Sequence, residues 1–154
     1  MSYRLSTRVF VVLITVCIGG MTPSQRVAAQ SGRSEVWVTD QSGTAGRLFI
    51  YDAHHVHQDA ATARPEILLL DPDNDPGTET VGDRCLSQTG TAPTRGHMLA
   101  FNLAETHGIL SFVATGHVAF IDAATRRAVS CIDVGAQAHA AFPAPDGSYV
   151  VVAN

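Results

Sequence analysis

Two histidines, His97 and His139, occupy matching places in a phrase that the chain repeats about forty residues apart. Gly96-His97-Met98-Leu99-Ala100-Phe101 runs on to Ser111-Phe112-Val113-Ala114, and Ala138-His139-Ala140-Ala141-Phe142-Pro143 runs on to Val151-Val152-Ala153-Asn154. Neutral imidazole is a ligand for copper, iron and zinc, so a pair delivered by a repeat is a candidate cofactor-holding set. The plainer role for each ring is a hydrogen bond that orders the start of its strand. A denser group, His54-His55-x-His57 followed by Asp59, has the ligand types for zinc or copper. It stands in the turn after Asp52, where a spread loop does not guarantee convergence. His107 and His117 have no evident partner and read as turn residues.

Cysteine and carboxylate chemistry are narrower. Cys17 lies in an apolar leader, which leaves Cys85 and Cys131 as a candidate disulfide, with a buried thiol at Cys131 as the competing reading. Asp71-x-Asp73-Asn74-Asp75 with Glu79 concentrates hard oxygen ligands suited to calcium. It departs from the helix-loop-helix calcium pattern, because Pro76 stands at the glycine position and Gly82 at the bidentate glutamate position. Asx turns are the default reading of that run. There is no Gly-x-Ser-x-Gly elbow, no Cys-x-x-Cys-His haem attachment and no lysine anywhere in the chain. Catalytic residues therefore stay unassigned, and whether the protein is an enzyme stays open.

The elements that must position these groups are short β runs. They fall at 35–39, 47–52, 66–71, 97–101, 109–114, 117–122, 128–134, 139–142 and 149–153, each rich in Val, Ile, Leu or Phe and bounded by Gly, Asp, Asn or Pro. Outside the leader no segment sustains helical periodicity. Runs such as Val36-Trp37-Val38 and Ile67-Leu68-Leu69-Leu70 are apolar at consecutive positions, which predicts sheets covered on both faces. The segment 72–95 is rich in Asp, Gly, Thr and Pro and reads as a long surface loop. Strands grouped four to a sheet, with a phrase repeated at this period, predict an all-β chain: a partial β-propeller of about two and a half four-stranded antiparallel blades. On this reading 97–134 forms one complete sheet and a second opens at His139. Three strands between 35 and 71 form an incomplete sheet, and residues 30–154 are the truncated N-terminal part of a longer propeller domain.

Residues 1–29 have the parts of a secretory signal, with Arg4 and Arg8, an apolar run to Ile18, and Val27-Ala28-Ala29 before Gln30. The apolar run is about half the roughly 20 residues that span a bilayer, so no anchor is expected after cleavage. Cleavage removes three arginines and no acid, taking the chain from ten basic residues to seven against fourteen acidic, a net charge near −7. Such a surface disfavours nucleic acid and anionic membranes as partners. The expected location is periplasmic or secreted.

The later repeats also resemble a known family. His117-Val118-Ala119-Phe120-Ile121-Asp122-Ala123-Ala124-Thr125, then Val129 to Ile132 and Val134-Gly135, then Pro145-Asp146-Gly147-Ser148-Tyr149-Val150-Val151-Val152-Ala153-Asn154 are similar to the YVTN-type β-propeller repeat. The similarity covers 97–154 well and 34–71 loosely, and departs at Thr115, where asparagine is usual, and at Glu105-Thr106, where Asp-Gly is usual. Relatives implied by the resemblance include the haem-binding propeller of periplasmic nitrite reductase, the copper-cluster propeller of nitrous oxide reductase and propeller lactonases. It implies an exported scaffold that binds a small-molecule ligand or a protein partner through its central face. The alternatives are a periplasmic oxidoreductase holding haem or copper, with His97 and His139 among the ligands, and a lactonase-like hydrolase.

Overall fold

Asp-turn chemistry and apolar runs divide the chain much as the sequence predicts. The computed structural model describes residues 34–42, 44–73 and 77–154. The expected signal at 1–29 lies outside these residues, as do Asn74 and Asp75 of the acidic run. Three antiparallel sheets follow one another. The first is β1 (Glu35–Asp40), β2 (Arg47–Asp52) and β3 (Glu66–Leu69); the second is β4 (Gly96–Phe101), β5 (His107–Phe112), β6 (His117–Asp122) and β7 (Ala128–Asp133); the third is β8 (Ala140–Pro143) with β9 (Val150–Ala153). Strands lie in sequence order within every sheet, and all but the β2–β3 connection, which carries a short helix, are short loops or turns.

The consecutive apolar residues have a geometric reason. Side chains of a strand alternate between two faces, and both faces of the second sheet are covered. Leu110, Ala119, Ile121 and Cys131 join Leu48 and Ile50 of the first sheet and Leu70 just after it in one core, whereas Ile109 and Val118 join Ala138 and Ala141 in another. The register places Ile109 opposite Phe120 and Leu110 opposite Ala119, which sends neighbouring residues of β5 into different cores. Tight turns close the hairpins. Asp122 Oδ1 accepts the N–H groups of Ala124 and Thr125 after β6, and Asp146 Oδ1 accepts the Ser148 N–H between β8 and β9. At Gly116, φ is +72° and an added Cβ would lie 1.8 Å from the Gly135 carbonyl oxygen, so only glycine fits where the two turns touch.

Two helices correct the all-strand expectation. The segment predicted as a surface loop contains α2 (Val81–Thr89), whose Val81 and Cys85 are buried. Thr80 Oγ1 accepts the Asp83 N–H at 3.1 Å while Asp83 Oδ2 accepts the Thr80 N–H at 2.9 Å, a capping box that starts the helix, and Gly90 at φ +79° ends it. A nine-residue helix is too short to show a periodic pattern, so only its caps were visible in the sequence. Gly82 lets α2 press on the chain leaving β3, since a Cβ there would lie 2.3 Å from the Pro72 nitrogen. Cys85 is disulfide-bonded to Cys131 across a sequence separation of 46, and Gln88 Oε1 accepts the Cys131 N–H at 2.6 Å. The helix thus covers the edge of β7, which would otherwise offer bare backbone to another strand. The second helix, α1 (Ala53–Gln58), follows β2 directly because Asp52 caps it, accepting the N–H groups of His54 and His55.

Candidate functional site

The entrances of β4 and β8 lie side by side at one end of the sheets, and they bring His97 and His139 together. Their Nε2 atoms are 3.0 Å apart, with ring centroids at 4.4 Å and planes inclined at 73°. Ser111, fully buried on β5, holds both backbones. Its Oγ accepts the Met98 N–H at 3.2 Å, at an irregularity of β4 between Gly96 and Leu99, and donates to the His139 carbonyl at 3.0 Å. Thr39 Oγ1 of β1 donates to the His97 carbonyl at 2.8 Å, and the His139 N–H donates to Ala153 of β9 at 2.8 Å. All three sheets therefore fix this pair.

Protons on the pair follow from the partners. The Gln41 side-chain amide meets Nδ1 of His97. With its nitrogen donating, His97 carries its own proton on Nε2 and gives it to Nε2 of His139, which leaves the His139 proton on Nδ1. Partial burial, then the neighbouring His139 ring and Arg95, hold His97 below the usual imidazole range. His97 is half-buried and His139 exposed, so the pair opens to solvent. Two adjacent imidazoles of this kind can exchange a proton, bind an anion when protonated, or share a cation.

The other expected site residues are placed differently. His54, His55 and His57 lie on α1, and the rings of His54 and His55 are 6.3 Å apart. Among the described residues no three side chains of His, Cys, Asp or Glu stand close enough to share a metal ion. His107 opens β5, with Nδ1 3.0 Å from Thr106 Oγ1. His117 corrects its reading as a turn residue without partners: it opens β6 and is 1% exposed. Thr115 Oγ1 accepts the Thr94 N–H at 2.9 Å and donates to Nδ1 of His117 at 2.8 Å. On the other side Nε2–H donates to Thr89 Oγ1 at 3.0 Å, whose own hydrogen goes to the Cys85 carbonyl at 2.8 Å. Burial, only partly offset by the Asp133 carboxylate, keeps this ring below the usual imidazole range and neutral. Thr115 is thus an anchor for His117, and His117 is an anchor for α2.

A cluster with no sequence signature closes the opposite end of the seam. Arg126, at φ +62°, reaches from the turn after β6 to Glu35 Oε1 at 2.6 Å and Glu66 Oε2 at 3.3 Å. Its guanidinium lies 5.0 Å over the Trp37 ring, which meets Phe101 edge-on at 5.0 Å. These contacts join the first two sheets and leave no free acid or base for chemistry. A separate groove of about 390 Å³ between the second and third sheets is lined mainly by Val118, Phe120, Ile132, Val134, Tyr149 and Val152. Its walls are mostly apolar, with the hydroxyl-bearing Ser148 and Tyr149 among them and no histidine, cysteine or carboxylate.

With this geometry in view, comparison with known proteins bears on the fold. No family model matches the chain, and no curated protein matches it. Among solved structures it is similar to the crystal structure of the β-propeller domain of Cps50 (Swd1) from Myceliophteria thermophila, with a TM-score of 0.50 and 11% identity. The fold is propeller-like. The likeness covers 77% of this chain and 31% of that domain, so the chain spans well under half of its length. In a propeller-like arrangement neighbouring sheets send equivalent loops to one end, which is why residues 42 positions apart meet as His97 and His139 do. Among the described residues no helix is long and apolar enough to cross a membrane.

Proposed function

We propose that the chain is part of an exported β-propeller scaffold that binds a small-molecule ligand or a protein partner through the end carrying His97, His139 and Gln41. The observation that carries this reading is the meeting of His97 and His139 at 3.0 Å, a polar pair fixed from three sheets yet open to solvent. Propeller-like folds serve many unrelated activities, so the reading rests on the site and not on the fold. The Cys85–Cys131 bond and the leader-like residues before Gln30 support export, because such bonds persist in oxidising compartments. The likeness of residues 117–154 to the YVTN-type repeat supports the same assignment.

The test expresses the whole chain in a bacterium with a periplasm and asks three things of the product. It should appear in the periplasmic fraction, begin at Gln30 and contain no free thiol. Footprinting with a histidine-modifying reagent in periplasmic extract should then protect His97 and His139 relative to buffer, while His54, His55 and His57 react as before. Retention in the cytosol with Met1 in place overturns the export; protection that falls on α1 or on the apolar groove overturns the assigned face.

A further inference from the structure

We infer that His97 and His139 together bind one divalent transition-metal ion through their two Nε2 atoms, copper(II) being the first-row ion that such nitrogen ligands hold tightest. This deepens the assignment of that end as the ligand-binding face, and it specifies a ligand chemistry. The first support is the bite. At the ~2.0–2.1 Å that an imidazole nitrogen keeps from such a metal, two nitrogens 3.0 Å apart can both reach one ion as neighbouring ligands. The second is the tilt of the rings. Two imidazoles joined by an in-line N–H···N bond of this length would have centroids about 5 Å apart or more. The observed 4.4 Å means that the ring axes turn away from the line between the nitrogens, as they also do when two rings share a third atom.

The third support is the shell around the pair. Metal-bound histidine usually donates its other ring N–H to a fixed acceptor, and the Gln41 amide already faces Nδ1 of His97. On binding, the His97 proton leaves Nε2 for Nδ1, and Gln41 turns its amide so that Oε1 accepts it; an amide offers either atom at little cost. His139 has its proton on Nδ1 beforehand, so its Nε2 lone pair is ready. The exchange moves one proton and releases none. Ser111 and Thr39 fix the two backbones, so the angle between the ligands is set before the ion arrives. Two imidazoles fill only part of the coordination sphere, and the solvent-facing side keeps positions for water or for an anionic group of a ligand.

The experiment titrates the purified chain with copper(II) alone and reads the bound ion by electron paramagnetic resonance. One ion per chain, with an axial spectrum showing nitrogen couplings, is expected. His97→Ala and His139→Ala should each weaken binding at least about tenfold, and Gln41→Ala, an exposed loop change that leaves the strands intact, about tenfold through loss of the Nδ1 partner. The triple variant His54→Ala/His55→Ala/His57→Ala should bind as the parent does. Unchanged affinity in both His97→Ala and His139→Ala, binding lost in the triple variant, or no binding to the parent each overturns the site. Circular dichroism of every variant separates lost ligands from lost fold. Metal titration needs neither export nor a partner, so a cytosolic protein that binds copper(II) overturns only the export, and an exported one that does not bind it overturns only this site.

Discussion

Two groups of histidines divide the molecule. His54, His55 and His57 are adjacent in the chain and scattered in space; His97 and His139 are 42 residues apart and in contact. On α1 each residue turns about 100° from the last, so positions 54, 55 and 57 point in three directions around a six-residue helix. Asp52, which caps that helix, uses the backbone of the group and not its rings. At the entrances of β4 and β8 the direction of each imidazole is set by sheets that touch, with Thr39, Ser111 and Gln41 as braces. Ligand density along a sequence therefore says less about convergence than membership in neighbouring strands does.

The largest effect is expected away from both histidine groups, at the disulfide that ties α2 to β7. Cys85→Ser/Cys131→Ser frees α2 and opens a loop of sequence separation 46, and should lower the unfolding free energy by about 3–4 kcal/mol in a urea titration. A loss of less than about 1 kcal/mol would show that α2 does not brace the edge of β7. Next comes Ser111→Ala, which leaves the Met98 N–H and the His139 carbonyl without their hydroxyl partner. It should cost about 1–3 kcal/mol and remove the through-space contact between the His97 and His139 rings in NMR spectra; an intact contact would mean that the strands alone set the pair. Asp52→Ala sharpens the comparison from the other side. Loss of the cap should cost about 1 kcal/mol and raise amide exchange in α1, with the His97 and His139 resonances unmoved.

The smallest effect is a pH slope. His117 is depressed in the folded state relative to the ~6.5 of a free imidazole, so the unfolded chain takes up the proton first as acid is added. Stability is full above about pH 6.5 and falls as pH drops from there through the lower, folded value. His97 adds in the same direction. Asp40, Asp83, Asp122 and Asp146, all depressed by hydrogen bonds from neighbouring residues, act in a separate window below about pH 4. Melting curves between pH 7.5 and 5 should show the decline, and Thr89→Val, which withdraws the Nε2 partner, should change its slope. A flat profile would show that folding depresses neither His117 nor His97.

Much of the fold was legible because its signals are local. The strand runs, the Asp122–Thr125 and Asp146–Gly147 turns, and the grouping of four strands between 97 and 134 need only a few adjacent residues to declare themselves. α2 escaped because its evidence is also local but sparse: Thr80 with Asp83 at one end, Gly90 at the other, and too few turns between for a period. His117 and Arg126 escaped for a different reason. Their partners, Thr89 and Thr115 in one case and Glu35, Glu66 and Trp37 in the other, come from distant elements, and nothing beside either residue marks it.

By itself the sequence determined where strands run and where turns fall, which are properties of residues within hydrogen-bonding reach along the chain, and that His97 and His139 hold equivalent places in a repeat, which comparing one stretch with another shows. Tertiary structure alone decided that those two rings stand 3.0 Å apart, that Ser111 locks them, and that the tighter cluster on α1 does not converge. The physical reason is that backbone preferences are set by neighbours in sequence, whereas the direction of a side chain is set by whichever sheet happens to pack against it.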